Sequence, residues 1–272
     1  MGGLVEILQG PSSSFRYEDG KAWTSANWTL CFSASFIYIV AVFLGPYFMK
    51  DRPALKLDKL LALWNGSLTV FSWLGSWVLV PEMVNRVRAR GFVGSWCYSD
   101  SYFQGETGFW AFLFVLSKLV ELGDTAFLIL RKRPVIFLHW FHHVSVMVWM
   151  WVTYTSNCSG MRWGVGMNYA VHAVMYSYFT LRALGVRLPR PLATAITSLQ
   201  MLQFLVGLYI TADVLNRVFP QLQFFNVDGS SCENPQIAMA GQAVLYTAYL
   251  ILFAQFFVRS YCRPSVKERK TQ

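Results

Sequence analysis

The chain has 272 residues, of which 55% are hydrophobic, 17% aromatic and only 14% charged. Ordinary soluble domains carry about 25% charged residues, so this composition argues against a water-soluble globule and against a disordered or fibrous chain. The formal net charge of +9 comes from basic clusters between apolar runs, which indicates membrane topology and not nucleic-acid binding. We therefore expect an all-α integral membrane protein.

Seven apolar runs are long enough to cross a bilayer, since a spanning helix needs about 20 apolar residues. In chain order they cover Trp28–Phe48, Leu60–Val80, Phe109–Leu130, Pro134–Tyr154, Trp163–Leu181, Ala193–Leu215 and Ile237–Val258. This pattern predicts a lumenal N-terminal segment over residues 1–27, a seven-helix membrane domain over 28–258 and a basic cytosolic tail over 259–272.

Basic residues are unequally divided between the loops that seven spans place on opposite sides of the membrane. The set that includes the tail holds fifteen lysines and arginines, and the other set holds seven. Because basic loops stay in the cytosol, the C-terminus is predicted to be cytosolic. Arg269 and Lys270 near the end are similar to dilysine signals of the endoplasmic reticulum, and a merely solvated basic tail is the alternative interpretation.

Three of the five cysteines fall in the predicted lumenal loops, where disulfides form. Cys97 and Cys232 lie in the two longest of these loops, and this pair is the predicted disulfide. Three free thiols, or a pair that uses Cys158, are the alternatives. On the same side, Asn27 begins an Asn-Trp-Thr sequon and is the predicted glycosylation site.

Polar residues inside the apolar runs point to the function, because each costs several kcal/mol in hydrocarbon unless it faces a cavity or a partner. In the third run, Lys118, Glu121 and Asp124 recur every three residues and so share one side of a helix. For Lys118 and Glu121, a structural charge network and a functional role are both open. Asp124 is predicted to orient a histidine.

All four histidines lie in two neighbouring runs. His139, His142 and His143 form one imidazole face within about a turn of the fourth run, while Asn168 and His172 share a face of the fifth. Together they predict a polar cavity inside a helix bundle. At 1.5 Å per residue, the cluster begins roughly 10 Å from the cytosolic surface, so the cavity is expected to open to the cytosol.

Two further groups of residues are expected at this cavity. Gln200 and Gln203 in the sixth run either hydrogen-bond the substrate or join helices. Arg131, Lys132 and Arg133 are expected at the entrance, although topology and anionic lipid explain them equally well. A basic entrance before an apolar interior suits a substrate with a large anionic head and a long apolar tail.

Two other classes of protein share part of this pattern. His-x-x-His-His also occurs in membrane di-iron enzymes, but these need about eight histidines, whereas this chain has four. A metal-dependent lipid-modifying enzyme with one ion on some of these histidines and Asp124 or Glu121 stays an alternative. A proton- or ion-coupled transporter also buries such groups, but paired Gly- or Pro-interrupted spans are not visible. Acyl transfer on a histidine, which is a nucleophile as well as a base, is the preferred interpretation.

Four motifs in this order resemble those of the very-long-chain fatty acid elongase (ELO) family of the endoplasmic reticulum. They are Lys118-x-x-Glu121-x-x-Asp124-Thr125, His139-x-x-His142-His143, Asn168-x-x-x-His172-x-x-Met175-Tyr176-x-Tyr178 and Thr197-x-x-Gln200-x-x-Gln203. The similarity covers nearly the whole chain. Trp140 in the histidine box is similar to the branch that acts on saturated and monounsaturated acyl-CoAs.

The resemblance implies a fold in which six of seven helices surround a narrow acyl tunnel. It also implies that the protein is a 3-ketoacyl-CoA synthase. Such an enzyme condenses a long-chain acyl-CoA with malonyl-CoA to a 3-ketoacyl-CoA, carbon dioxide and CoA. We expect no metal and no cofactor, and we expect membrane lipid and the other enzymes of the elongation cycle as partners.

Each motif residue then receives an expected role in a ping-pong reaction. His142 is the predicted nucleophile that forms an acyl-imidazole, with His172 as the alternative. His172 and Asn168 are expected to stabilise oxyanion or enolate charge, and His139 and His143 to fix tautomer and ring orientation. The predicted substrate-binding residues are Lys118, Glu121, Tyr176, Gln200, Gln203, Arg131, Lys132 and Arg133.

Overall fold

The structure, a computed structural model, describes residues 3–219, 232 and 234–262. All regular elements within these residues are helical. They are α1 (Leu4–Gln9), a 3₁₀ turn (Ser12–Ser14), α2 (Tyr17–Ala26), α3 (Trp28–Phe48), α4 (Asp58–Cys97), α5 (Gly105–Glu121), α6 (Gly123–Leu130), α7 (Phe137–Thr155), α8 (Met161–Ala183), α9 (Arg190–Val218), α10 (Gln236–Phe257) and a π-helical turn (Val258–Cys262). The helix α4 packs mainly against α8, and α9 against α10.

The surface is apolar and the interior contains charged groups. On α3, Phe36 and Ile37 are 70% and 65% exposed, whereas Lys118 and Glu121 on α5 are only 2% and 3% exposed. Charged residues are almost never fully buried unless they are paired, and apolar residues favour the outside only where the solvent is hydrocarbon. Among the described residues, four helices are long and apolar enough to cross a membrane, namely α3, α4, α9 and α10 with its terminal turn. The protein is therefore a multi-pass helical membrane protein.

The seven predicted runs fall on α3, α4, the α5–α6 pair, α7, α8, α9 and α10. Three of these, the α5–α6 pair, α7 and α8, are not among the four apolar helices. The reason is physical: α5 has only 17 residues, and α7 and α8 carry all four histidines, which lower their hydropathy. The count of seven spans stays a prediction.

The second predicted run differs from the helix that contains it. It ends at Val80, where the sequence suggests a loop, but α4 continues through Pro81 to Cys97. The chain changes direction inside this extension at Gly91, whose φ of +69° is a conformation that favours glycine. The loop expected after the second span is therefore largely helical.

A buried arginine holds this extension against α8. Arg162 is fully buried, and its Nε donates to both carboxylate oxygens of Glu82 at 3.1 Å. Its two terminal nitrogens donate to the backbone carbonyls of Ser95, Tyr98 and Ser99 at 2.6–2.8 Å. Arg162 is one of the seven basic residues of the predicted lumenal loops, and the structure makes it a packing residue.

The Cys97–Cys232 disulfide lies at the same end of the bundle and is the predicted pair. Beside it, the Asn234 amide donates to the carbonyl of Trp96 at 3.0 Å and accepts from the backbone N–H of Gly160 at 3.1 Å. These bonds join α4, α8 and the segment before α10. We call this region, with Arg162 and its partners, the disulfide end.

Cys158 and Asn27 bear on two other predictions. Cys158 is a free, buried thiol, so the alternative disulfide is not formed, and burial raises the pKa of this thiol to about 12. Asn27 immediately precedes α3, and its side-chain nitrogen donates to the carbonyl of Trp23 at 2.7 Å. This bond does not decide whether Asn27 carries a glycan, and glycosylation stays a prediction.

The third predicted run folds as two helices, α5 and α6, which meet at Leu122. Gly123 packs so closely against Trp64 of α4 that a Cβ at this position would lie 2.6 Å from the indole ring. Only glycine permits this approach without a shift of the neighbouring helix. The close contact brings α4 to the residues that follow the break.

Candidate active site

A cavity of about 580 Å³ lies at the opposite end of the bundle from the disulfide. Its polar lining comes from five helices and consists of Asp58, Asn65, Asp124, His139, His142, His143, Asn168, His172, Tyr176, Gln200 and Gln203. Arg131, Arg133 and Arg182, near the ends of α6 and α8, also line it, and we call these three the mouth of the cavity. Residues from four separate sequence motifs thus share one space.

Three of the predicted substrate-binding residues do not line this cavity. The side chain of Lys132 donates to the carbonyl of Lys50 at 2.9 Å, which directs it away from the mouth. Lys118 and Glu121 are buried behind the cavity wall and form an ion pair with a 2.7 Å separation. A buried pair of this kind is stable only when further hydrogen bonds satisfy it.

The Lys118–Glu121 pair connects α5 to α8. Lys118 Nζ also donates to Asn168 Oδ1 at 3.2 Å, and the Ser117 hydroxyl donates to Glu121 Oε1 at 3.0 Å. Glu121 Oε2 has no hydrogen-bond partner in the described part of the chain. This oxygen lies 3.9 Å from Nδ1 of His172.

Asp124 has different partners from those that the sequence suggests. Its Oδ1 accepts from the indole N–H of Trp64 at 2.6 Å, and its Oδ2 accepts from the Tyr176 hydroxyl at 2.9 Å. The structure therefore gives Asp124 a tryptophan and a tyrosine in place of the predicted histidine. Tyr176 lines the cavity as expected, but its hydroxyl is engaged in this bond.

A chain of hydroxyl groups fixes His139. Its Nε2 lies 2.8 Å from the hydroxyl of Thr125, which lies 2.9 Å from the hydroxyl of Tyr38 on α3. His139 in turn packs against His143, with 4.4 Å between the ring centroids. Sequence reasoning missed both hydroxyl partners: Thr125 is the last residue of its motif, whereas Tyr38 carries no local signal.

His142 is the least constrained of the four histidines by polar contacts. In the described residues its ring nitrogens have no hydrogen-bond partner, and the ring packs edge-on against Tyr249 of α10 at 4.9 Å between centroids. The Tyr249 hydroxyl lies 2.8 Å from that of Ser145, one turn further along α7. Packing thus holds the His142 ring while leaving its nitrogens available to the cavity.

The two glutamines of α9 also face the cavity. The Gln200 amide lies 3.2 Å from the sulfur of Met175 on α8, so it makes an interhelical contact as well. Gln203 is buried. Both expected roles, substrate binding and interhelical contact, are compatible with these positions.

The described residues contain no group of three His, Cys, Asp or Glu side chains that is arranged to hold one metal ion. The clustered histidines instead use their neighbours for packing and for hydrogen bonds to hydroxyl groups. The expectation of chemistry without a metal stays a prediction.

The chain is similar to a known protein family and to several known proteins. A family described as ELO: GNS1/SUR4 family matches residues 23–269. Very long chain fatty acid elongase 6 of Drosophila melanogaster is 40% identical over 93% of this chain and 78% of its own. Long chain fatty acid elongase 2 of Caenorhabditis elegans is 38% identical over 95% and 91%. Very long chain fatty acid elongase 3 of Homo sapiens is 37% identical over 93% and 90%.

Proposed function

The chain belongs to the ELO (GNS1/SUR4) family, and from this membership we propose that it catalyses the condensing step of fatty acid elongation. It is then an acyltransferase that joins a long-chain acyl-CoA to malonyl-CoA and releases a 3-ketoacyl-CoA, carbon dioxide and CoA. One observation carries the proposal. Residues of four separate motifs line a single cavity whose mouth has three arginines.

His142 is proposed as the nucleophile because its ring nitrogens are free of hydrogen bonds in the described residues and the ring lines the cavity. A nitrogen of neutral imidazole attacks the thioester carbonyl, a C–N bond forms, and the C–S bond breaks. CoA leaves as a thiolate that takes up a proton. The acyl-imidazole is an activated acyl donor, so the apolar surroundings protect it from water.

The second half of the reaction uses malonyl-CoA at the same mouth. Loss of carbon dioxide leaves an enolate, whose carbon attacks the acyl carbonyl as the acyl C–N bond breaks, and the His142 nitrogen that is released takes up a proton to become neutral imidazole. His172 and Asn168 line the cavity and are proposed to stabilise the negative charge on the thioester oxygen. His139 and His143 are proposed to keep the site in position. Thr125 forms a hydrogen bond with His139, and the His139 ring packs against His143.

The mouth supports recognition of CoA. Guanidinium groups bind phosphate in a planar, two-pronged geometry, and Arg131, Arg133 and Arg182 line the cavity where it meets the ends of α6 and α8. Arg131 also lies 2.5 Å from Asp58 of α4, which holds it in position. Gln200 and Gln203 are proposed to bind the thioester or the amides of the pantetheine arm.

Location and substrate preference are also part of the proposal. The asymmetry of basic loops favours a cytosolic C-terminus, and the basic tail favours the endoplasmic reticulum, although residues 263–272 lie outside the described part of the chain. Trp140 in the histidine box favours saturated and monounsaturated acyl chains. No metal or cofactor takes part in the proposed chemistry.

The test is decarboxylation of malonyl-CoA that depends on an acyl donor. The purified protein receives malonyl-CoA labelled in its free carboxyl group, with or without a long-chain acyl-CoA, and with or without EDTA. We expect labelled carbon dioxide only with both CoA substrates, together with a 3-ketoacyl-CoA, and no effect of EDTA. Release without acyl-CoA, or no release at all, contradicts the proposal. Loss with EDTA that iron or zinc restores favours a metal-dependent reaction.

A further inference from the structure

The two oxygens of the Glu121 carboxylate have different surroundings. Oε1 accepts from Lys118 Nζ at 2.7 Å and from the Ser117 hydroxyl at 3.0 Å. Oε2 is buried and has no hydrogen-bond partner in the described part of the chain. Buried polar atoms without a partner are rare in native proteins and each needs an explanation. A purely structural ion pair does not explain why only one oxygen is used.

The free oxygen faces a residue of the proposed active site. Glu121 Oε2 lies 3.9 Å from His172 Nδ1, a distance too long for a hydrogen bond but short enough for an ion pair when the ring is protonated. Catalytic hydrogen bonds are often long in the absence of substrate and shorten in the complex. Because Nδ1 of His172 is directed at Glu121, Nε2 of the same ring is the nitrogen available to a substrate in the cavity.

The surrounding charges single out Glu121 for this task. Lys118, its partner on α5, is tied to Oε1 and to Asn168 Oδ1. Its positive charge opposes protonation of His172, so a protonated ring needs the unpaired Oε2 as its counter-ion. Asp124, the other carboxylate on this side, is occupied by Trp64 and Tyr176. Glu121 Oε2 is therefore the carboxylate oxygen that is free to accept a hydrogen bond from the protonated Nδ1 of His172.

We propose that Glu121 is a positioning residue that acts as the counter-ion of protonated His172. An imidazolium ion in apolar surroundings is strongly disfavoured unless it is paired, and a carboxylate within about 4 Å supplies the pairing. This inference rests on the proposed function and specifies how the enolate is stabilised. As the bond between the carboxyl group and the α-carbon of malonyl-CoA breaks, its electron pair moves to the thioester oxygen, to which His172 Nε2–H donates.

The test separates the two halves of the reaction in Glu121→Gln, which keeps the shape of the side chain and an acceptor for Lys118 and Ser117. We expect condensation kcat to fall about 10²-fold, the typical effect of losing one oxyanion donor. The KM for malonyl-CoA and the release of CoA from acyl-CoA alone should change little, because His142 carries out that half. The matched control Ser117→Ala removes one hydrogen bond from the same carboxylate but keeps its charge, and should lower kcat by about fivefold or less.

A double-mutant cycle with His172→Gln decides whether the two residues act together. If Glu121 acts through His172, adding Glu121→Gln to His172→Gln costs little further activity. Additive losses, or an equal fall of CoA release and condensation with a lowered unfolding temperature, overturn the inference and leave Glu121 a structural residue. A wild-type protein that does not condense the two substrates overturns the proposed function itself, so the two failures are distinguishable.

Discussion

The two ends of the helix bundle both bury charged side chains, but they satisfy them to different degrees. At the disulfide end, every nitrogen of the Arg162 guanidinium donates to Glu82 or to a backbone carbonyl. At the cavity end, within the described residues, one oxygen of Glu121 has no partner. The contrast concerns charged groups only, because the uncharged Tyr102 hydroxyl, whose ring packs against Arg162, is also buried without a partner in the described part of the chain. Fully satisfied networks rigidify a fold, whereas unsatisfied polar groups in a cavity are typical of reactive sites.

The disulfide end mainly stabilises the fold, whereas the cavity end holds the reactive groups. Unpaired polar groups cost free energy, so a reactive end has to be supported by packing and bonding elsewhere. Substitutions at the disulfide end should therefore lower stability while sparing turnover in the folded fraction. Substitutions of residues that line the cavity should mainly change turnover or substrate binding.

Arg162→Met has the largest expected effect and tests whether the disulfide end determines stability and not turnover. It leaves the partly buried Glu82 with only the weaker contact to Arg86 at 3.9 Å and leaves three carbonyls without this donor, and breaking a buried ion pair costs about 3–5 kcal/mol. Chemical denaturation in detergent should show this fall in unfolding free energy, with kcat unchanged in the folded fraction. Arg16→Met, whose side chain is 71% exposed and lies 4.0 Å from Asp19, is the control and should cost about 1 kcal/mol or less. A normal stability with impaired turnover in Arg162→Met would reverse the division.

The disulfide itself should have the next largest effect on stability. Cys97 and Cys232 are 135 residues apart, and removing a disulfide that closes a long loop typically costs about 2–4 kcal/mol. Cys97→Ser should lower the unfolding temperature, and reductant should lower the wild-type value to the same extent. If reductant leaves the wild-type value unchanged, the bond does not stabilise this end.

Trp64→Phe examines a contact at the cavity end that is structural. It removes the indole donor at 2.6 Å from Asp124 and leaves a buried carboxylate oxygen unpaired, at a cost of about 1–3 kcal/mol. Trp73→Phe is the matched control, because the Trp73 indole donates to Ser177 at an exposed position and should matter less. Equal losses in the two variants would show that the Asp124 contact has no special weight.

The smallest expected effect concerns the mouth of the cavity. Arg133→Gln should raise the KM for both CoA substrates by about fivefold, since a partly exposed charge contact contributes roughly 1 kcal/mol. Lys132→Gln should raise it less, because Lys132 donates to the carbonyl of Lys50 and does not line the cavity. Steady-state kinetics at low ionic strength measure both KM values. A larger effect for Lys132→Gln would show that Lys132, and not Arg133, contacts the phosphate groups of CoA.

The sequence predicts the positions of the long helices because apolar runs are a local property. The first run coincides with α3 at both ends. The extension of α4 beyond Pro81 could not be predicted, since its stability comes from Glu82 meeting Arg162, which lies 80 residues further along the chain. The break at Gly123 likewise depends on Trp64, a contact between distant segments.

The same limit applies to the site. Polar residues in apolar runs identify the four histidines, Asn168 and the glutamines, because hydrocarbon makes each of them costly. Their partners are less predictable: Tyr38 reaches Thr125 from α3 and Tyr249 packs on His142 from α10, and a tyrosine in an apolar run carries no signal of its own. The partners of Asp124, Trp64 and Tyr176, lie 60 and 52 residues away in the chain, and local patterns do not pair residues so far apart.

The most direct measurement of the central claim is incubation of the purified protein with a long-chain acyl-CoA alone. If His142 forms an acyl-imidazole, we expect a burst of about one equivalent of CoA per site and a rise in protein mass equal to the acyl group, because the covalent intermediate accumulates. Peptide mapping should locate the adduct on His142, and His142→Ala should lose the burst, the adduct and condensation together. An adduct that persists in His142→Ala and disappears in His172→Ala, or normal condensation with no adduct at all, would contradict it.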